Sequence, residues 1–272
     1  MIIIAEKINA SRKSIGIAIK NKDDNAIREQ IVEQDKAGAH YIDLNAGTDA
    51  GTEEQEIQDI CWLIDIALDC TEKKLCIDSD NPVIIQKAAE YINKRRPIML
   101  NSVKYDVNLL AKILPVAANF DAPVVALAMG NEGIPNTVEE RLKVTTLIVE
   151  EAQKYNVPPE KLLIDPLVLP ISADYTNGMT TLETLRAIKK TYPNIKTTMG
   201  VSNIGFGLKK RVFINEAFII GAIIQGLDTA IVDPTKASIQ RALTLGELIG
   251  GKDKYCRKFT RSVRTGLFDD NK

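Results

Sequence analysis

The stretch AIVDPTKASIQRALTLGELIG, residues 230–250, contains one strand–helix unit. The short apolar run at residues 230–232 suits a buried strand. Asp233-Pro234 then predicts a helix start, with the acid as N-cap and the proline at the first helical position. A longer amphipathic segment follows, as expected of a helix with one buried face. The unit therefore combines a buried strand, a polar residue at the carboxyl end of that strand, and a helix.

The same alternation of short apolar and longer amphipathic segments runs along the whole chain. It predicts parallel β/α units, and eight of them in about 250 residues predict a single-domain α/β protein, the (β/α)8 or TIM barrel. The predicted strands are Ile2–Ala5, His40–Leu44, Leu75–Ile77, Ile98–Leu100, Pro123–Ala128, Leu162–Ile164, Thr197–Val201 and Ala230–Val232.

Helix-start signals support this interpretation. Asn81-Pro82 predicts an N-cap followed by proline, and Thr137 and Thr180 each precede a glutamate by three residues, the spacing of a capping box. No segment has the composition of a linker, so we expect one barrel domain over residues 1–272, with a short extension after about residue 252. A doubly wound sheet is the alternative fold, but AEKINASRKSIG after the first strand lacks G-x-G-x-x-G.

Composition narrows the function. The net charge is −1 and no long basic run occurs, which argues against a nucleic-acid partner. The N-terminus lacks the pattern of a signal peptide, and no apolar run approaches the ~18 residues of a membrane span. The four cysteines form no C-x-x-C pair, which predicts neither a zinc site nor a disulfide framework and favours a cytoplasmic location. His40 is the only histidine, so a mechanism that needs two is excluded.

Acids and amides stand at the predicted carboxyl ends of nearly all the strands, where a barrel builds its active site. They are Glu6, Asp43, Asn45, Asp78, Asn101, Asp165, Asn203 and Asp233. Each has a structural alternative, since Asp233 can simply cap a helix and Asp43 and Asn45 can form turns. Taken together they suit a flat heterocycle with an amino-oxo-pyrimidine edge, because a carboxylate accepts two adjacent N–H donors. Mg²⁺ is a weaker interpretation, and we predict no metal site.

Six motifs together resemble one family. They are IIAEKIN (residues 3–9), YIDLNAG (41–47), CIDS (76–79), MLNSV (99–103), LIDPLVLP (163–170) and GVSN (200–203). In this order and spacing they are similar to the methyltetrahydrofolate:corrinoid/iron–sulfur protein methyltransferases, and more distantly to the folate-handling domain of cobalamin-dependent methionine synthase. The resemblance extends to about residue 260.

The resemblance implies a homodimeric TIM barrel that binds tetrahydrofolate or 5-methyltetrahydrofolate at the carboxyl ends of its strands. It implies that Asp165 holds the pyrimidine edge of the pterin, that Asp78 and Asn101 contact its ring, and that Asn203 lies near N5. Asn203, Asp78 and Asp165 are the predicted catalytic residues. The predicted binding residues are Glu6, Asp43, Asn45, Asp78, Asn101, Asp165, Gly200, Ser202, Asn203, Arg211 and Asp233.

Transfer of the N5 methyl group to Co(I) leaves charge on a poor leaving group, so a proton or hydrogen bond at N5 lowers the barrier. Asparagine does not ionise near neutral pH, but its amide can donate or accept. The hypothesis is that Asn203 stabilises protonated N5, with the proton arriving from solvent through the acidic rim. The chain lacks D-x-H-x-x-G, so the cobalamin is expected on a partner corrinoid protein. The direction of transfer, including methylcorrinoid to tetrahydrofolate in a demethylase system, stays open.

Three other functions are compatible with the sequence. Dihydropteroate synthase shares the fold and pterin site but has R-x-H at strand 8, where this chain has AIVDPTK. A non-catalytic folate-binding subunit is the second alternative. A Schiff-base aldolase that uses Lys7 is the third, although no apolar pocket can be inferred around that lysine.

Overall fold

The computed structural model describes residues 1–48 and 51–269. Eight parallel strands pair in sequence order, and the last pairs with the first, which closes the sheet. The predicted TIM barrel is therefore confirmed. The strands are β1 (Ile2–Asn9), β2 (Tyr41–Asn45), β3 (Lys74–Asp78), β4 (Ile98–Tyr105), β5 (Val124–Gly130), β6 (Leu162–Asp165), β7 (Lys196–Gly200) and β8 (Thr229–Val232).

Helices surround the barrel and follow its strands. They are α1 (Lys13–Asn21), α2 (Asp24–Lys36), α3 (Glu53–Cys70), α4 (Pro82–Ile92), α5 (Val107–Phe120), α6 (Val138–Lys154), α7 (Asn177–Thr191), α8 (Arg211–Gln225), α9 (Ala237–Ile249) and α10 (Arg257–Arg264). Short 3₁₀ turns occupy Pro159–Lys161, Val201–Gly205 and Lys254–Cys256. In the described part of the chain, no helix combines the length and apolar character needed to span a bilayer.

The main core lies between the strands and the helices. In α3, Ile60, Leu63, Ile64 and Ala67 recur at helical spacing and are fully buried. They pack in the same cluster as the outward-facing strand residues, of which Leu44 is one. Because side chains alternate along a strand, the remaining strand residues face the interior of the barrel.

Two predicted helix starts are confirmed. The side chain of Asn81 accepts a 2.9 Å hydrogen bond from the amide of Val83, with Pro82 as the first helical residue. Thr137 and Glu140 form both bonds of a capping box.

Two predicted helix starts are wrong. Thr180 lies inside α7, which begins a turn earlier because the Asp174 side chain accepts from the amide of Thr176 and fixes the preceding turn. Asp233 does not cap α9, which begins only at Ala237; its carboxylate instead accepts from the amide and the hydroxyl of Thr235.

Candidate functional site

The interior of the barrel has an apolar layer with a polar layer above it. The apolar layer consists of Ile4, Tyr41, Cys76, Met99, Val125 and Leu163, with Ile231 packed against it. Two positions further along the chain, where side chains again face the interior, six of these seven strands have a polar residue, whereas β5 has Leu127. We define the polar layer as Glu6, Asp43, Asp78, Asn101, Asp165 and Asp233. Strand alternation thus directs six of the predicted site residues toward one mouth of the barrel.

Side-chain contacts join the part of the site carried by β2, β3 and β4. The Nδ2 of Asn45 donates to Oδ2 of Asp78 at 3.1 Å, and the Nδ2 of Asn101 approaches Oδ1 of Asp43 at 3.5 Å. Asp78 and Asn101 are partners in the register of β3 and β4. A cavity of about 510 Å³ opens beside this group, with Asn45 and Asp78 in its wall.

Burial raises the pKa of several acids in the polar layer. The pKa of Asp43 is well above its ordinary value, first because the carboxyl is buried and second because Asp78 repels its charge. The pKa of Asp78 is also raised by burial, although the amide of Asn45 opposes the rise. The two acids interact closely, so together they can retain a proton at a pH where exposed carboxyls have none.

Asp165 is the last residue of β6 and is 8% exposed. Its Oδ1 accepts a 2.7 Å hydrogen bond from the amide of Leu167. Burial raises the pKa of Asp165 to about 7, against the opposing effects of the Leu167 amide, the Arg141 guanidinium and the Gly200 amide. The group can therefore accept N–H donors when ionised and is close to half protonated at neutral pH.

The residues after β7 form a tightly held 3₁₀ turn. Arg211 donates a 2.7 Å hydrogen bond to the carbonyl of Ser202, which joins the start of α8 to this turn. A Cβ added to Gly205 would lie 2.8 Å from Cβ of Arg211, so only glycine allows this approach. The Asn203 side chain is exposed, near Gly200, and has no hydrogen-bond partner within residues 1–48 and 51–269.

Glu6 belongs to β1, which continues four residues beyond its predicted end. Its Oε1 pairs with Arg12 at 3.2 Å, and the charges of Asp233 and Arg211 also act on it. Burial is the largest influence and raises the pKa of Glu6. Glu6 therefore connects the two sides of the mouth electrostatically.

Two residues that the sequence singled out lie elsewhere. Lys7 pairs with Glu33 of α2 at 2.5 Å, and the Nδ1 of His40, at the amino end of β2, accepts from the amide of Ile3 at 3.2 Å. His40 is thus at the opposite end of the barrel from the polar layer. Across the described ranges, no group of three or more His, Cys, Asp or Glu side chains has an arrangement that fits a metal ion.

The sequence did not point to Arg141. It is 1% exposed on α6, and its guanidinium donates to the carbonyls of Pro135, Pro166 and Leu167 at 2.8 to 2.9 Å. A weak signal was available, because a cation in the first turns of a helix opposes the helix dipole and needs another reason to be there.

The mouth offers buried carboxylates that accept hydrogen bonds, amides that donate or accept, and one exposed amide at its edge. Such a site can bind a neutral, flat, donor-rich ring and can supply or retain a proton beside it.

Comparisons with known proteins identify the family of the chain. The family model described as "Pterin binding enzyme" matches residues 5–233. The methylcorrinoid:tetrahydrofolate methyltransferase of Eubacterium limosum is 36% identical over 268 residues, which cover 98% of this chain and 97% of that protein. Methionine synthase of Mycobacterium tuberculosis is 28% identical over 252 residues, covering 87% of this chain and 20% of that protein.

Solved structures show the same fold at low identity. A dihydropteroate synthase of Coxiella burnetii in complex with pteroic acid has a TM-score of 0.64 and 14% identity, over 83% of this chain and 87% of that one. A dihydropteroate synthase of Yersinia pestis has a TM-score of 0.62 and 16% identity, over 81% and 87%. On the family match and the 36% identical relative, the chain belongs to the pterin-binding enzyme family.

Proposed function

We propose that this chain is a methyltransferase that moves a methyl group between N5 of tetrahydrofolate and the cobalt of a corrinoid protein. The observation that carries the proposal is the polar layer, because six strands each have an acid or amide two residues beyond the apolar layer, at one mouth. The identity of 36% over nearly the full length of a methylcorrinoid:tetrahydrofolate methyltransferase supports the reaction class.

In this proposal the polar layer holds the pterin by its hydrogen-bonding edge. Asp165 accepts the amino and ring N–H groups of the pyrimidine, and Asp78 and Asn101, neighbours across β3 and β4, contact the second ring. Gly200 leaves room along the edge of the ring because it has no side chain. Ser202 lines the same edge and is fixed there by the hydrogen bond from Arg211 to its carbonyl. Glu6, Asp43, Asn45 and Asp233 complete the surrounding acids and amides.

Asn203 acts at N5. Its exposed side chain is free to turn, so its amide can donate to one protonation state of N5 and accept from the other. In transfer to tetrahydrofolate, N5 forms the new bond to the methyl carbon and loses its proton. In the reverse direction, the electron pair of the N5–carbon bond stays on nitrogen and a proton neutralises it. The Asp43–Asp78 pair, with raised pKa values, can take up that proton in the first direction and supply it in the second.

The cobalt chemistry belongs to the partner. The only histidine lies at the far end of the barrel, so the mouth offers no imidazole ligand to a corrinoid. The corrinoid protein would dock over the mouth. The loop after β7 offers it an apolar side chain, Phe206, which is 63% exposed, and two cations that follow, Lys209 and Lys210. We favour transfer from methylcorrinoid to tetrahydrofolate, the reaction for which the similar E. limosum methyltransferase is named.

A spectroscopic assay tests the function. The protein is mixed with tetrahydrofolate and a methylated corrinoid protein, and then with 5-methyltetrahydrofolate and the reduced corrinoid protein, while the methyl–cobalt absorbance is followed. We expect transfer in at least one direction and its loss in Asp165→Asn. Tight folate binding without transfer to any corrinoid protein would instead indicate a folate-binding subunit.

The homodimer is a further part of the proposal. An apolar cavity of about 570 Å³ lies between α7 and α8, and Tyr175, Met179 and Phe213 in its wall are 89%, 57% and 64% exposed. A second copy covering this face would remove that apolar surface from water. Light scattering should give twice the chain mass, and Phe213→Lys should give a monomer, whereas Tyr91→Lys on the exposed side of α4 should not. A wild-type monomer would contradict the interface.

A cytoplasmic location is proposed with the function. All four cysteines are free in the structure, as is usual in a reducing compartment.

A further inference from the structure

Arg141 combines three unfavourable features. It is buried to 1% exposure, it lies in the first turns of α6, where the helix dipole disfavours a cation, and no carboxylate pairs with it among the described residues. Burial accordingly lowers the pKa of Arg141. Removing a charge from water is unfavourable unless hydrogen bonds or an opposite charge offset the loss. The contacts of the guanidinium therefore show what offsets it here.

The guanidinium is directed at the loop after β6. It donates to the carbonyls of Pro166 at 2.8 Å and Leu167 at 2.9 Å, and its Nε donates to the carbonyl of Pro135 at 2.9 Å. Pro135 belongs to the loop before α6, and Pro166 and Leu167 belong to the loop after β6. The side chain therefore ties the end of β6 to the loop that enters the helix.

Leu167 is the residue that this contact holds. Its φ is +69°, a left-handed conformation that is unfavourable for leucine. In this conformation its amide donates to Asp165 at 2.7 Å, while its carbonyl accepts from Arg141 and from the hydroxyl of Thr181 at 3.0 Å. The strained residue thus links the carboxylate at the mouth to the buried cation behind it.

We propose that Arg141 is the positioning residue of the pterin site, orienting Asp165 through Leu167. Its positive charge also favours the ionised form of that carboxyl, which burial disfavours. The inference rests on the proposed function, because it assumes that Asp165 binds the pterin. In the described part of the chain, Arg141 is the only charged group that acts on Asp165; the amides of Leu167 and Gly200 are the other groups that favour its ionised form.

The test measures the dissociation constant of tetrahydrofolate between pH 5.5 and 9 for the wild type and four variants. Arg141→Met removes the charge and all three hydrogen bonds at similar length. Arg141→Lys keeps the charge. Thr181→Val removes the other contact to the Leu167 carbonyl without altering any charge. Lys143→Met removes an exposed cation from the same helix.

We expect Arg141→Met to raise the dissociation constant roughly fivefold at pH 7, because fewer Asp165 carboxyls are ionised there, and to move the midpoint of the pH profile upward. Arg141→Lys and Thr181→Val should weaken binding with the midpoint close to that of the wild type. Lys143→Met should have no effect. The ligand is the same throughout, so its own titration cancels in the comparison.

Two results would overturn the inference. One is an unchanged midpoint in folded Arg141→Met. The other, decisive even if that variant does not fold, is wild-type affinity in Arg141→Lys, since one ammonium group cannot replace three guanidinium bonds. If Asp165→Asn instead binds tetrahydrofolate as tightly as the wild type, Asp165 does not contact the pterin. That result would refute the assumption taken from the proposed function, and Arg141 would have no role in binding.

Discussion

The Nδ2 of Asn45 donates a 3.1 Å hydrogen bond to Oδ2 of Asp78, so the last residue of one strand supports the carboxylate at the end of the next. This donor favours the ionised form of an acid whose pKa burial has raised. The contact therefore sets the protonation of Asp78 as well as its orientation.

Replacing Asn45 by alanine should remove that support. Without the donor, the pKa of Asp78 rises further, so a larger share of Asp78 is protonated at lower pH than at higher pH. We expect kcat/KM for methyl transfer to fall roughly tenfold at pH 6.5 and by less at pH 9. The pH profile of kcat/KM measures the effect. Gln86→Ala, which breaks a 2.8 Å amide–carboxylate pair with Glu90 on the exposed side of α4, is the matched control.

Ionisation of the buried Asp165 carboxyl should lower the free energy of unfolding as pH rises. The pKa of the folded state is about 7, against an ordinary value of 3.8, so between about pH 4 and pH 7 the folded state binds more protons than the unfolded state. The free energy of unfolding therefore falls with rising pH across that window. Asp165→Asn should remove the fall, gaining up to about 4 kcal/mol at pH 8 and almost nothing at pH 4. Urea unfolding at both pH values checks this, and equal effects at the two would contradict it.

Asn203→Ala should reduce turnover without destabilising the fold. The side chain has no partner within the described residues, so its loss costs no protein hydrogen bond. If the amide stabilises protonated N5, kcat should fall by about 10²-fold. Single-turnover transfer is the measurement, with unchanged thermal unfolding as the check on folding. Asn108→Ala, at an exposed position on α5, should behave as the wild type; turnover within about twofold in Asn203→Ala would rule out the role.

Gly205→Ala should disturb the turn that carries Asn203. The added Cβ would meet Cβ of Arg211 at 2.8 Å and Oδ1 of Asn215 at 2.9 Å, so the turn or α8 must shift. We expect kcat/KM to fall by at least tenfold, since small displacements of a positioned group are costly in catalysis. Gly221→Ala within α8 is the control, because its Cβ would lie 3.6 Å from Leu182, an ordinary contact. Equal activity of the two variants would contradict this prediction.

The sequence predicted the barrel because nearly every strand is a short apolar run followed by a polar residue and an amphipathic segment. It predicted strand cores better than strand ends. β1 reaches Asn9 and β4 reaches Tyr105, since polar residues continue the pairing there without any local apolar signal. Asn101 was placed at a strand end, although it lies inside β4. It still reaches the mouth because side-chain alternation turns it inward.

The contacts of Arg141 could not be predicted, because its environment is assembled from distant segments. On α6 it stands among charged residues, a pattern that indicates an exposed helix face. Only the folded chain brings the carbonyls of Pro135 and Pro166 to it. The misplaced starts of α7 and α9 have a similar cause, since Asp174 and Asp233 use their carboxylates in turns before the helix begins.

Because residues two apart on a strand share a face, the apolar layer and the polar layer above it fix which residues of each strand face the interior of the barrel. Loss of one residue between Leu163 and Asp165 would turn the acid outward into the helix layer, whereas exchange of Asp165 for another side chain leaves the packing of Leu163 untouched. The lining of the mouth is in this sense interchangeable: a barrel of this construction can acquire a different ligand by point substitution, provided that the length of every strand is preserved.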